Sequence, residues 1–151
     1  MRAPERLSDA MLASLVENAD DAVIVADASG AIQYWNRASE AMFGYTSGEA
    51  IGASLDIIVP AKLRERHWEG YRRVMASGQT EYAGRMLAVP AVRADGARIS
   101  VEFTVTLLRD SEGTLWGIGA IMRDVTARWH EQRELRRELE TLKREAPSPA
   151  G

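Results

Sequence analysis

The feature that most constrains the fold of this chain is an alternation of apolar and polar residues over positions 101 to 107. Apolar residues take the odd positions and polar residues lie between them: Val101, Glu102, Phe103, Thr104, Val105, Thr106 and Leu107. A period of two is typical of a strand with one face buried and the other in solvent. Asp95-Gly96 is a pair that tight hairpin turns favour. The alternation and this turn together predict a half-buried strand that follows a hairpin turn.

Three other stretches have the composition of strands. Residues 22–26 and 31–35 flank a turn-forming segment, which predicts a hairpin. Residues 82–92 predict a further strand, in which Pro90 requires an edge or a bulge because proline cannot donate to a sheet ladder. Residues 115–125 predict the last strand. The periodicities by themselves favour a mixed α+β domain.

One long helix is predicted over residues 60–77. Pro60 suits its first turn, and Gly78 suits the position just past its end. One face of this helix carries Leu63, His67, Gly70, Tyr71 and Val74. A neutral imidazole that projects among apolar residues is a competent iron ligand, although ordinary core packing is the alternative role for His67. Gly70 leaves a flat gap one turn further on, at a cost of about 1 kcal/mol relative to alanine.

Both ends of the chain have amphipathic or charged helical patterns. Ser8 is the predicted N-cap of a helix over residues 9–18, whose apolar stripe needs either the main domain or a second subunit as partner. Residues 126–145 are charged but carry a short coiled-coil seam: Val125, Arg128, Gln132, Leu135, Leu139 and Leu142. We therefore expect a homodimer, with an N-terminal helix (1–20), a central domain (21–126), a coiled-coil helix (127–145) and a disordered tail (146–151).

Composition excludes several classes of protein. The chain has 151 residues, which fits one domain, and it has no cysteine, which excludes disulfide scaffolds and thiolate metal sites. The net charge of −3 with mixed signs gives no nucleic-acid-binding surface. Apolar runs are too short to cross a bilayer, and the N-terminus lacks a signal peptide. We expect a cytoplasmic protein with no membrane contact.

Several short motifs resemble those of PAS domains, a family of sensory modules. The matching residues are Asn36, Ala38, Gly44, Tyr45, Glu49 and Gly52 in the first half and the ending Arg123-Asp124-Val125-Thr126. The resemblance covers about residues 20 to 128. It implies a five-stranded antiparallel sheet in the order 2-1-5-4-3, with helices over one face that enclose a ligand-sized pocket.

Within that family, the segment around Arg66-His67 resembles the oxygen-sensing haem PAS domains of the FixL type. The flavin-binding branch needs a reactive cysteine, which this chain lacks. The resemblance implies that His67 binds the iron of haem b and that Arg73 lies near the haem propionates. It also implies that Phe103 and Val105 form an apolar distal wall. Gly70 and Tyr71 complete the expected haem-binding face of the helix.

The chain also departs from that pattern. The arginine that contacts oxygen in those domains falls at Leu87, which cannot donate a hydrogen bond, and Glu81 would repel a propionate. Carbon monoxide, nitric oxide or redox state then become better signals than oxygen. Met86 and Met122 are candidate sixth ligands, and Trp116 is expected to share the pocket face of the last strand with Met122.

Three functions remain open. The first is a haem sensor that passes a gas or redox signal from the last strand to the C-terminal helix and on to a kinase or regulator. The second is a cofactor-free module for dimerisation or docking, and the third is a sensor of a small apolar ligand. Catalysis is not expected: His130-Glu131 faintly resembles a phosphoacceptor box, but no nucleophile and base pair or phosphate loop accompanies it.

Overall fold

A computed structural model describes residues 6–81 and 84–146. Helix α1 (Asp9–Glu17) precedes strands β1 (Ala22–Asp27) and β2 (Ile32–Trp35), which are followed by the short helices α2 (Arg37–Phe43) and α3 (Ser47–Ala50). Two 3₁₀ turns, Leu55–Ile57 and Ala61–Leu63, lead into helix α4 (Arg64–Ser77). Strands β3 (Leu87–Val92), β4 (Arg98–Arg109) and β5 (Leu115–Asp124) then precede helix α5 (Thr126–Glu145).

The five strands form one antiparallel sheet in the order β2-β1-β5-β4-β3, as predicted. Strand β3 lies at an edge, which explains how Pro90 is accommodated. The strand predicted over residues 82–92 is observed from Leu87, and its predicted start at Tyr82 lies outside the described residues. The tail segment 147–151 and residues 1–5 also lie outside the described residues.

The helix predicted over residues 60–77 begins as an α-helix only at Arg64, because Ala61–Leu63 forms a 3₁₀ turn. It ends as predicted at Gly78, which has a left-handed backbone (φ 67°) and donates its N–H to the carbonyl of Val74. The predicted N-cap of α1 is also observed, since the hydroxyl of Ser8 accepts a hydrogen bond from the N–H of Met11.

Asn36 joins three elements at one end of the sheet. Its Oδ1 caps α2 by accepting from the N–H of Ser39 (3.0 Å) and also accepts from the N–H of Val23 in β1 (2.9 Å). Its Nδ2 donates to the carbonyls of Val16 (2.9 Å) and Asp21 (3.0 Å). Every hydrogen-bonding atom of this fully buried amide is therefore used, which ties α1 to β1 and α2.

Candidate functional site

A cavity of about 590 Å³ lies between the inner face of the sheet and helix α4. This volume falls in the range of about 300 to 1,000 Å³ that is usual for small-molecule and cofactor sites. All five residues predicted on one face of α4 and its preceding turn line it: Leu63, His67, Gly70, Tyr71 and Val74. The opposite wall comes from alternating residues of the central strands: Ile24, Ala26, Val101, Phe103, Val105, Ile118, Ala120 and Met122. The lining is therefore predominantly apolar.

Two aromatic residues of α4 hold the helix against the β1–β2 turn. The hydroxyl of Tyr71 donates to the carbonyl of Asp27 at 2.5 Å, and Nε1 of Trp68 donates to Oδ1 of Asp56 at 2.7 Å. The indole of Trp68 packs so closely on Gly30 that a Cβ there would lie 2.1 Å from a ring carbon. These contacts fix the register of α4 and so direct His67, which adjoins Trp68 in sequence, toward the cavity.

His67 has an imidazole nitrogen with no hydrogen-bond partner. Its Nδ1 is buried and unpaired among the described residues. Burial lowers the pKa of His67 from its ordinary value of 6.5, and the nearby charge of Asp56 opposes part of that shift. The side chain is therefore a neutral imidazole at pH 7.

Gly70 leaves open space beside His67. A Cβ built at this position meets nothing within 4 Å, so packing within the protein does not require glycine here. Glycine in the middle of a helix costs about 1 kcal/mol relative to alanine. The gap therefore fits a flat group that lies close to the helix backbone.

Of the ten residues expected at the site, seven line the cavity: His67, Gly70, Tyr71, Leu87, Phe103, Val105 and Met122. The remaining three, Arg73, Met86 and Trp116, do not line it. The Arg73 side chain is 71% exposed and lies 3.6 Å from Glu69, its ion-pair partner on α4. Met86 is 63% exposed and lies just before the start of β3, outside the cavity lining.

Trp116 is displaced by an irregularity in the sheet. Leu108 pairs with Gly117 and Arg109 pairs with Leu115, which leaves Trp116 without a partner on β4. Such a bulge interrupts the alternation that would have placed Trp116 on the same face as Met122. The indole is 45% exposed as a result.

Sequence reasoning missed part of the lining. Ile24 and Ala26 of β1 line the cavity, but residues 22–26 are all apolar, so the sequence does not mark which side is buried. Leu55, Ile58 and Val59 lie in or beside a short 3₁₀ turn, where no long periodicity marks a buried side. Arg66 also lines the cavity, although only its neighbour His67 was expected to do so.

The cavity wall is connected to helix α5 by a compact junction. The N–H of Val125 donates to the carbonyl of Ser100 (2.8 Å), and the N–H of Ser100 donates to the hydroxyl of Thr126 (2.9 Å). Ser100 adjoins Val101, which lines the cavity. Strand β4 and the first residue of α5 are therefore joined directly by a hydrogen bond.

Residues 6–81 and 84–146 contain neither a cluster of metal ligands nor a membrane-spanning helix. No three His, Asp or Glu side chains of residues 6–81 and 84–146 lie close enough to share a metal ion. None of the helices in that part of the chain combines the length and apolar character needed to cross a membrane.

Comparison with known proteins agrees with this architecture. A family model described as PAS fold matches residues 16–130. The chain belongs to the PAS family. A structure of the PAS domain of a protein from Colwellia psychrerythraea superimposes with a TM-score of 0.67 at 22% identity, covering 78% of this chain and 97% of that one.

Two curated proteins give closer sequence matches to this PAS domain. An uncharacterized protein of Azorhizobium caulinodans is 37% identical over 132 residues, which are 87% of this chain and 18% of that protein. The sensor protein FixL of Bradyrhizobium diazoefficiens is 30% identical over 131 residues, covering 87% of this chain and 25% of FixL. The chain therefore spans a quarter or less of the length of these two relatives.

Proposed function

We propose that this PAS domain binds haem b through His67 and senses a diatomic gas or a redox change. The observation that carries the proposal is the neutral imidazole of His67 on the wall of a 590 Å³ apolar cavity, with open space over Gly70 one turn away. The 30% identity to the sensor protein FixL supports the same assignment. Bound haem would supply an iron centre whose ligand or oxidation state can change.

The residues of the cavity wall opposite α4 would determine which gas or redox change the domain senses. Leu87, Phe103 and Val105 line the cavity with carbon atoms only and would keep water from a bound group. None of them can donate a hydrogen bond, so bound oxygen would lack the stabilisation that a distal arginine gives. Carbon monoxide, nitric oxide or redox state are therefore the favoured signals. Met122 lines the cavity and Met86 does not, so Met122 would be the methionine available as a sixth ligand.

The signal would leave the cavity through the sheet. Phe103 and Val105 of β4 and Met122 of β5 line the cavity, and both strands meet α5 at the junction of Ser100 with Val125 and Thr126. We infer that α5 relays the change to a homodimer partner and to a kinase or regulator. Since the chain is a quarter or less of the length of its two relatives, the output belongs to whatever protein reads this helix.

The test is a titration of the purified chain with haemin, followed by the Soret absorbance of wild type, His67→Ala and His130→Ala. We expect one haemin per chain in wild type and in His130→Ala, because His130 is exposed on α5. His67→Ala should lose the shifted Soret band while keeping the far-UV circular dichroism of the fold. Stoichiometric uptake by His67→Ala, or none by wild type, would overturn the proposal.

A second candidate is a sensor of a small apolar molecule that uses the same cavity without iron. The observation that favours it over a cofactor-free module is the open volume of about 590 Å³. Two of the side chains that would have filled this space, Met86 and Trp116, lie outside it. In the same titration this function predicts no haemin uptake, together with displacement of an apolar fluorescent probe from the folded protein.

A further inference from the structure

The cavity has one fixed charge in its lining. Among the described residues that line it, Arg66 is the only one with a permanent charge, and no carboxylate lies on the wall. The other polar groups are the imidazole of His67, the hydroxyl of Thr80 and the hydroxyl of Tyr71, which is bound to the carbonyl of Asp27. An apolar space with one cation and no anion of its own is complementary to an apolar ligand that carries a negative charge.

Among the described residues, two arginines of this helix make no hydrogen bond or ion pair, Arg66 and Arg72, and of these only Arg66 lines the cavity. Arg64 lies 4.0 Å from Asp56 and donates to the carbonyl of Val59, and Arg73 pairs with Glu69. The guanidinium of Arg66 makes no hydrogen bond or ion pair within residues 6–81 and 84–146. The residue is exposed as well as lining the cavity, so its charge lies at the mouth, where both solvent and a bound molecule can reach it.

We propose that Arg66, rather than Arg73, receives the carboxylate of the ligand held in the cavity. This inference rests on the proposed haem function, in which the carboxylate is a haem propionate. A guanidinium presents its N–H donors as a planar fork that matches a carboxylate in a two-bond contact. Arg66 immediately precedes His67, so one turn of α4 supplies both the group for the iron and the group for the propionate.

The test compares three porphyrins and three variants. Haemin carries iron and two carboxylates, haemin dimethyl ester has iron but no free carboxylate, and protoporphyrin IX has the carboxylates without iron. The variants are Arg66→Gln, Arg73→Gln as the matched control, and His67→Ala. Dissociation constants are measured by absorbance or by tryptophan quenching, at low and high salt.

Arg66→Gln should weaken binding of haemin and of protoporphyrin IX by about tenfold, because a charge-assisted pair is lost, and leave the dimethyl ester unaffected. Higher salt should shrink that difference because it screens the exposed charge. Arg73→Gln should match wild type throughout. His67→Ala should weaken haemin and the ester but not protoporphyrin IX.

Two results would overturn the role of Arg66 while leaving haem in place. The first is that Arg66→Gln binds haemin as tightly as Arg73→Gln does. The second is that Arg66→Gln loses the same affinity for haemin as for haemin dimethyl ester. A third result would separate the two proposals. If Arg66→Gln weakened the binding of protoporphyrin IX but His67→Ala left the binding of haemin unchanged, the haem function would fail and the carboxylate site at Arg66 would stand. No binding of any porphyrin by wild type would overturn both.

Discussion

At the scale of single residues, His67 links the cavity to the pH dependence of stability. Burial keeps its folded pKa below the ordinary 6.5, so the unfolded chain binds more protons than the folded one as the pH falls through that value. The stabilising effect of the neutral form is complete above pH 6.5 and is lost as the pH falls below it. We therefore expect the free energy of unfolding of the ligand-free protein to decrease between pH 7.5 and 5.5.

Urea denaturation at the two pH values measures this decrease, and His67→Gln should make it smaller. His130→Gln is the control, because His130 is exposed on α5 and does not line the cavity. The prediction fails if both variants behave alike.

In the proposed function, three neighbouring residues of α4 would share the recognition of a ligand. His67 offers a neutral imidazole, Gly70 offers open space, and Arg66 offers a charge without a partner among the described residues. Each is unfavourable or neutral for the stability of the empty domain, since an unpaired buried nitrogen and a helical glycine both carry a cost. Their convergence on one cavity wall is therefore explained by binding better than by folding.

At the scale of elements, the contact between Trp68 and Gly30 fixes α4 on the sheet. Gly30→Ala should destabilise the protein by about 2 to 4 kcal/mol. The new side chain would strain the left-handed backbone, which has a φ of 84°, and its Cβ would clash with the indole of Trp68. Gly113→Ala is the matched control, because its φ of 83° imposes the same backbone strain and a Cβ there meets nothing within 4 Å. It should cost about 1 to 2 kcal/mol.

Both values come from chemical denaturation at neutral pH. Equal losses in the two variants would show that the packing of Trp68 on the turn contributes nothing beyond backbone strain. In that case the tether of Tyr71 to the carbonyl of Asp27 would be the contact that places α4.

The sequence predicted those parts of the fold that depend on local pattern. The face of α4, the cap at Ser8 and the alternation of β4, whose odd-numbered residues 101, 103 and 105 line the cavity, follow from periodicity and capping chemistry, and each is observed. Trp116 could not be placed in this way, because its orientation depends on a bulge that exists only once β5 pairs with β4. Arg73 was placed by resemblance, which carries no information about its pairing with Glu69 in this chain.

At the scale of the whole molecule, the hydrogen bonds and ion pairs that join α5 to the other residues of 6–81 and 84–146 all lie near its start. Thr126 bonds to Ser100, and Arg128 forms an ion pair with Glu102 of β4. Beyond that turn the apolar seam residues are exposed: Leu135 by 54%, Leu139 by 56% and Leu142 by 63%. A helix of 20 residues with so little support gains most of its stability from packing against another helix.

We therefore expect the chain to be a dimer joined along α5, and analytical ultracentrifugation should show it. The double variant Leu135→Glu with Leu139→Glu places like charges on the seam and should sediment as a monomer. Arg137→Glu with Thr141→Glu adds the same residue to the other side of the helix and should remain dimeric. If the leucine variant stays dimeric, the exposed residues of α1, such as Met11 and Leu15, become the contact between subunits. The signal would then have to reach its partner through the N-terminal helix, which Asn36 ties to β1.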